Sequence, residues 1–244
     1  MNADLGLARL PHRRGEGLPD PPPGLPRQRR GTAPQGRSRY PDFDVLAEAE
    51  HWDPQSRAIV LARLDDPPPL RFFDPQEAET LAAFCDIVTA QDREPRVPLL
   101  AMVDQKLHEG RLDGFQFADM PDDRDTWRLA ARGLDERART LGAECFAAAD
   151  VELQTGLVAE LHAGELHDGV WAELPAERAF DVLMRAVLSE YYSHPWAWNE
   201  IGFGGPSYPR GYARMGIGLR EAWEGEEEFA VDPVRDVRDR GVDC

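Results

Sequence analysis

Hydrophobic positions recur at helical spacing through most of the chain, and no run alternates with a period of two for long enough to make a strand. Leu81, Phe84, Cys85 and Val88 stand 3, 1 and 3 residues apart, one face of a helix predicted from Asp74-Pro75-Gln76-Glu77 to about Gln91. Asp74 supplies a capping carboxylate, and Pro75 takes a first-turn position where a missing N–H costs nothing. Asp53-Pro54 opens Gln55–Leu64 in the same way, after a short helix over Phe43–Glu50. Leu100, Val103 and Leu107 stripe Val97–Glu109, which Gly110 stops. Trp127–Leu141 follows, then a turn or two over Ala143–Ala149, and Asp150 caps Val151–His162. The last long helix, Pro175–Ser193, carries Ala176, Phe180, Leu183, Val187 and Tyr191 along one face.

These elements predict an all-α fold, a single irregular helical domain over residues 40–224. No internal repeat or composition shift inside 40–220 calls for a second domain. Pro67-Pro68-Pro69 reads as a stiff extended spacer. Residues 1–39 are expected to form a disordered arm: Pro11–Pro41 holds eight prolines and few clustered apolar residues, too little to offset the entropy of ordering. Residues 225–244 are expected to be an acidic, frayed tail.

Charge narrows the partners. Residues 1–40 hold eight Arg against three acids, about +5, so the remainder carries −17 − 5 = −22. A body that acidic is repelled by phosphate backbones, which argues against nucleic acid as a partner. The longest apolar runs fall well short of the ~18 residues of a spanning helix, so no direct membrane insertion is expected. Three cysteines, Cys85, Cys145 and Cys244, include no CxxC pair; Cys85 and Cys145 sit in apolar runs and read as buried thiols. Arg13-Arg14 and Arg29-Arg30 are followed by no apolar segment of ~7–15 residues, as an export signal requires. The expected location is therefore cytoplasmic, or periplasmic or membrane-associated if the start lies elsewhere or a partner carries the signal.

Candidate chemistry is thin. Leu112–Asp125 carries five acids, but Phe115 and Phe117 occupy its middle and no Glu closes a calcium loop; it reads as a solvated turn with two buried phenylalanines. His162 and His167 with Glu160, Glu165 and Asp168 form the densest set of metal-ligand types. Ligand pairs on one helix face stand three or four apart, whereas these histidines stand five apart around Gly164. His194, before Pro195, reads as a capping or packed histidine. Gly202-Phe203-Gly204-Gly205 lacks the Lys of a P-loop, and no GxGxxG follows a strand, so no FAD or nucleotide is expected on this chain.

The densest stretch is Tyr191–Tyr212, YYSHPWAWNEIGFGGPSYPRGY, with seven aromatic rings, three prolines and four glycines in 22 positions. Such composition predicts an ordered, irregular loop pinned on a scaffold. Trp196, Trp198, Phe203, Tyr208, Arg210 and Tyr212 are of residue types enriched at the energetic centres of interfaces, and are the candidate partner-binding residues. The alternative is that the rings close the helical core; both can hold for different rings. Arg210, on a rigid turn between Pro209 and Gly211, is the favoured contact residue.

That stretch resembles the C-terminal signature of the gluconate 2-dehydrogenase subunit 3 family, the small or gamma subunit of membrane-associated flavin dehydrogenases. DVLAEAEHWDPQSRAIVLARL, FFDPQEAETLAAFCDIVTAQD, VPLLAMVDQKL and WRLAARGLDERA extend the similarity over residues 40–224. The resemblance implies an all-α accessory subunit that binds and stabilises a larger FAD-dependent sugar or polyol dehydrogenase of the glucose-methanol-choline type, with a cytochrome subunit as a further partner. It implies FAD on the partner, no cofactor or metal on this chain, and no catalytic residues to carry over. Many members carry an N-terminal twin-Arg signal, and this chain shows none. Two other readings compete: a free-standing helical metalloenzyme using His162, His167, Glu165 and His194, and a structural protein with no flavoprotein partner.

Overall fold

The computed structural model describes residue 40 and residues 43–91, 96–111, 114, 116–214 and 220–225. The expected arm and nearly all of the expected tail, with Cys244 and Phe115, lie outside the described residues. Among those described, every regular element is helical: seven α-helices and two 3-10 segments. They are α1 (Pro54–Ala62), α2 (Pro75–Val88), α3 (Leu99–His108), α4 (Asp123–Thr140), α5 (Val151–Ala163), α6 (Ala176–Tyr191) and α7 (Pro195–Ile201). The 3-10 segments are Val45–His51 and Gly169–Ala172.

Local rules account for most boundaries. The Asp74 carboxylate accepts the N–H groups of Gln76 and Glu77 at 2.9 Å, and Glu77 returns a bond to the Asp74 N–H at 3.1 Å. This capping box fixes the start of α2. Asp53 and Asp150 cap α1 and α5. Gly110 and Gly164 end α3 and α5 with positive φ, as the left-handed turn after a helix requires. Other boundaries depart from the periodicity. Phe43–Glu50 is realised as the 3-10 segment Val45–His51. α4 starts at Asp123 instead of Trp127, because the Asp122 side chain takes the Asp125 N–H at 2.9 Å. Ala143–Ala149 forms turns and no helix: the Phe146 N–H goes to the Asp135 carboxylate at 3.0 Å.

The chain groups into two compact units where no shift in composition marks a boundary. The central unit is Asp66–Tyr191; the terminal unit joins the described residues of Met1–Asp65 to those of Tyr192–Cys244.

In the central unit α5 and α3 pack on α6, and α2 packs on α4. Leu81, Phe84, Val103, Trp127, Leu134, Phe146, Leu161, Leu183 and Val187 are fully buried there. Cys85 joins this core, where burial pushes its thiol pKa far up and keeps it protonated. Buried polar side chains then tie the loops to the helices. Asp104 on α3 accepts the N–H groups of Arg71, Phe72 and Phe73 at 2.7, 2.9 and 3.0 Å. Asp135 on α4 accepts from the Thr80 hydroxyl and the Gln76 amide, each at 2.8 Å, besides Phe146. The Gln154 amide donates to the carbonyls of Phe146 and Ala147. A buried carboxylate is tolerated when its oxygens are taken up by donors, and these are.

Candidate partner-binding site

The terminal unit carries all six candidate residues. Its core is Val45, Ala49, Trp52, Val60 and Trp198, with Phe43, Leu46 and Phe203 packed on it. The part of the aromatic stretch predicted as irregular contains α7, started by His194 and Pro195. Asn199 on α7 accepts the buried Val45 N–H at 2.7 Å, across 154 residues of chain.

His194 joins α1 to α7. Its Nδ1 accepts the Trp196 N–H at 3.2 Å, which leaves Nε2 to donate to the Arg63 carbonyl at 2.9 Å. The ring is therefore neutral. Burial lowers its pKa to about 4; the bond to the Arg63 carbonyl opposes this, and the nearby Arg63 charge adds a lesser lowering effect. The expected capping and packing role is what the structure shows.

The glycines that follow admit aromatic rings. A Cβ on Gly202 would stand 2.5 Å from the Tyr40 ring and one on Gly205 2.6 Å from Trp52, while one on Gly204 would overlap Trp223. Gly202 and Gly205 also have φ of +69° and +74°.

The structure divides the six candidates. Trp198 is buried, donates Nε1 to the Tyr192 carbonyl and meets Phe203 edge-on at 5.3 Å. Trp196 is half-buried, edge-on to His194 at 4.7 Å. Tyr208 is 69% exposed and Tyr212 48%. Arg210 faces inward: its guanidinium pairs with buried Glu48 at 2.6 Å, donates to the Pro206 carbonyl at 3.2 Å and lies 4.2 Å over the Trp223 ring. Sequence reasoning placed Arg210 at the contact surface and missed Glu48, because 162 residues separate the pair. It also missed Glu221, whose buried carboxylate accepts the N–H groups of Ala213 and Arg214.

The histidine and acid clusters have local roles in the central unit. His162 stacks on Phe180 at 4.6 Å, and Glu160 pairs with Arg137 at 3.2 Å. Glu165, His167 and Asp168 line a cleft of about 380 Å3 with Trp171. In the acidic loop Asp119 pairs with Arg178, Asp123 lies 3.6 Å from Arg185, and half-buried Phe117 lies under Arg178. Among the described residues no three or more His, Cys, Asp or Glu side chains are grouped to hold a metal ion, and no helix is long and apolar enough to cross a membrane.

Comparison with known families matches residues 75–205 to Gluconate 2-dehydrogenase subunit 3. The chain belongs to the gluconate 2-dehydrogenase subunit 3 family. The match takes in the central unit from α2 onward and continues through α7 to Gly205, the glycine seated against Trp52. The family is one of subunits, so the chain is built to work with partner subunits. No curated protein and no solved structure matches the chain.

Proposed function

We propose that this subunit 3 protein is a non-catalytic accessory subunit that binds and stabilises a larger FAD-dependent sugar or polyol dehydrogenase. The observation that carries the reading is the family match over residues 75–205, on a helical scaffold whose glycine run is filled by aromatic rings. In this reading the flavin belongs to the larger chain and a cytochrome subunit takes its electrons. The loops are tied to the helices by the buried carboxylates of Asp104 and Asp135, whose oxygens already have donors, which suits a scaffold better than a reactive site. The test is to purify the tagged chain from native cells. Flavin absorbance should accompany a co-purifying large subunit and be absent from the isolated chain. Stoichiometric FAD on the isolated chain, or a native preparation with no flavoprotein in it, overturns the reading.

A further inference from the structure

Residues 206–214 form a loop fastened at its middle and at its far end. At its middle the Arg210 guanidinium is held by the Glu48 carboxylate and the Pro206 carbonyl, over the Trp223 ring. At its far end the Glu221 carboxylate takes two successive backbone N–H groups, those of Ala213 and Arg214. The Glu221 N–H in turn donates to Glu224 at 2.7 Å, and the Gly211 N–H closes the turn on the Ser207 carbonyl at 2.7 Å. On either side of the Arg210 anchor, Tyr208, Pro209, Gly211, Tyr212 and Ala213 are all exposed.

This is an expensive arrangement for a surface loop. Glu48 and Glu221 are both buried, and desolvating a carboxylate costs several kcal/mol unless it is paired. What the two carboxylates hold in place is a tip with two large exposed aromatics, which water does not favour. Core stability gives no reason for Tyr208 to stand in solvent. Presentation does: a tip fixed in advance loses little entropy on binding, and tyrosine gives large contact area with few torsions.

The tip's charge identifies what it fits. On a chain of net charge −17, the five exposed residues carry no charge; of the loop's two arginines, Arg210 is neutralised inside by Glu48, and half-buried Arg214 at the far end donates to the Arg220 carbonyl at 3.3 Å. A basic partner surface drawn to the acidic body would find nothing to pair with here. An uncharged socket, apolar with backbone acceptors for the tyrosine hydroxyls, would. We infer that the 206–214 tip is the plug by which this chain docks into an uncharged socket on the large flavoprotein subunit, with Tyr208 and Tyr212 as contact residues and Arg210 as a positioning residue. The inference rests on the function proposed above.

The probe is the large flavoprotein purified with the tagged native chain, and the measurement is its binding to full-length variants at 0.1 M and 1 M NaCl. The double variant Tyr208→Ala/Tyr212→Ala should keep the parent's melting temperature and bind about thirtyfold more weakly, the loss of a pair of interface anchors. Arg210→Lys, which keeps the charge and loses the fork, should also weaken binding, with a lowered melting temperature. Parent binding should change less than about threefold between the two salt concentrations, since screening acts on exposed charge. If the parent binds a flavoprotein but the double variant binds equally well, the plug is overturned and the accessory role stands. A parent affinity that falls by tenfold or more in 1 M NaCl also overturns the plug, in favour of a charged interface. If no flavoprotein accompanies the parent, both fall.

Discussion

Trp171 occupies the place that a side chain on Gly133 would take. A Cβ there would stand 2.6 Å from the indole Cε2 and 2.8 Å from Nε1, so the ring packs on bare backbone in the middle of α4. Gly156 in α5 is the opposite case, with nothing within 4 Å of its Cβ position. The two glycines should respond with opposite signs. Gly156→Ala should stabilise the protein by about 0.5–1 kcal/mol, the difference in helix propensity. Gly133→Ala should destabilise it by roughly 1–3 kcal/mol, because overpacking outweighs the same propensity gain. Urea unfolding of both variants checks the pair, and a stabilised Gly133→Ala would mean that Trp171 is free to move aside.

His194 makes stability depend on pH. Its folded pKa of about 4 lies below the ordinary 6.5, so between those values the unfolded chain binds a proton that the folded chain refuses. Stability is full above pH 6.5 and falls as pH drops toward 4, by up to about 3 kcal/mol. His194→Asn keeps an oxygen to cap α7 and removes the titration. Its unfolding free energy should be flatter across that window than the parent's; equal slopes would assign the effect to other groups.

Asp104 anchors three consecutive backbone N–H groups with one buried carboxylate. Asp104→Ala leaves those donors without a partner and should cost about 3–5 kcal/mol. Asp104→Asn keeps one acceptor oxygen and should cost less. Hydrogen exchange at Arg71, Phe72 and Phe73 should speed up in both variants, and unchanged protection there would contradict the anchoring role.

Asn199→Ala removes the acceptor of the buried Val45 N–H. The expected loss is about 1–3 kcal/mol, the cost of an orphaned buried donor. Trp52 and Trp198 lie in that same core, so tryptophan fluorescence should follow its melting. Asn199→Asp, which keeps an acceptor oxygen in place, should recover part of the loss.

The parts of this fold that were legible in the sequence are those decided within a few residues. The capping box Asp74/Glu77, the caps Asp53 and Asp150 and the apolar spacing of α2 and α6 each follow from neighbours along the chain. His194 was readable as a cap for the same reason. What could not be read is decided across the chain. Gly202, Gly204 and Gly205 look alike in sequence, yet each answers to a different distant ring. Arg210 has the composition of a contact residue and the surroundings of a clamp, and only the position of Glu48 distinguishes them. The start of α4 was missed because Asp122 caps it from inside a run of acids that reads as loop.

The bond between Val45 and Asn199 also has a meaning in time. A ribosome makes the earlier residue first and supplies its acceptor 154 residues later, on the order of 10–30 s at cellular rates of synthesis. The central unit is one continuous segment and can gather as it emerges, while Val45, Trp52 and Val60 wait with their core incomplete. The nascent chain thus carries the core residues of its first two helical segments unsheltered through most of its own production, and a chain released before α7 should be cut by protease within residues 43–63 while the finished chain resists.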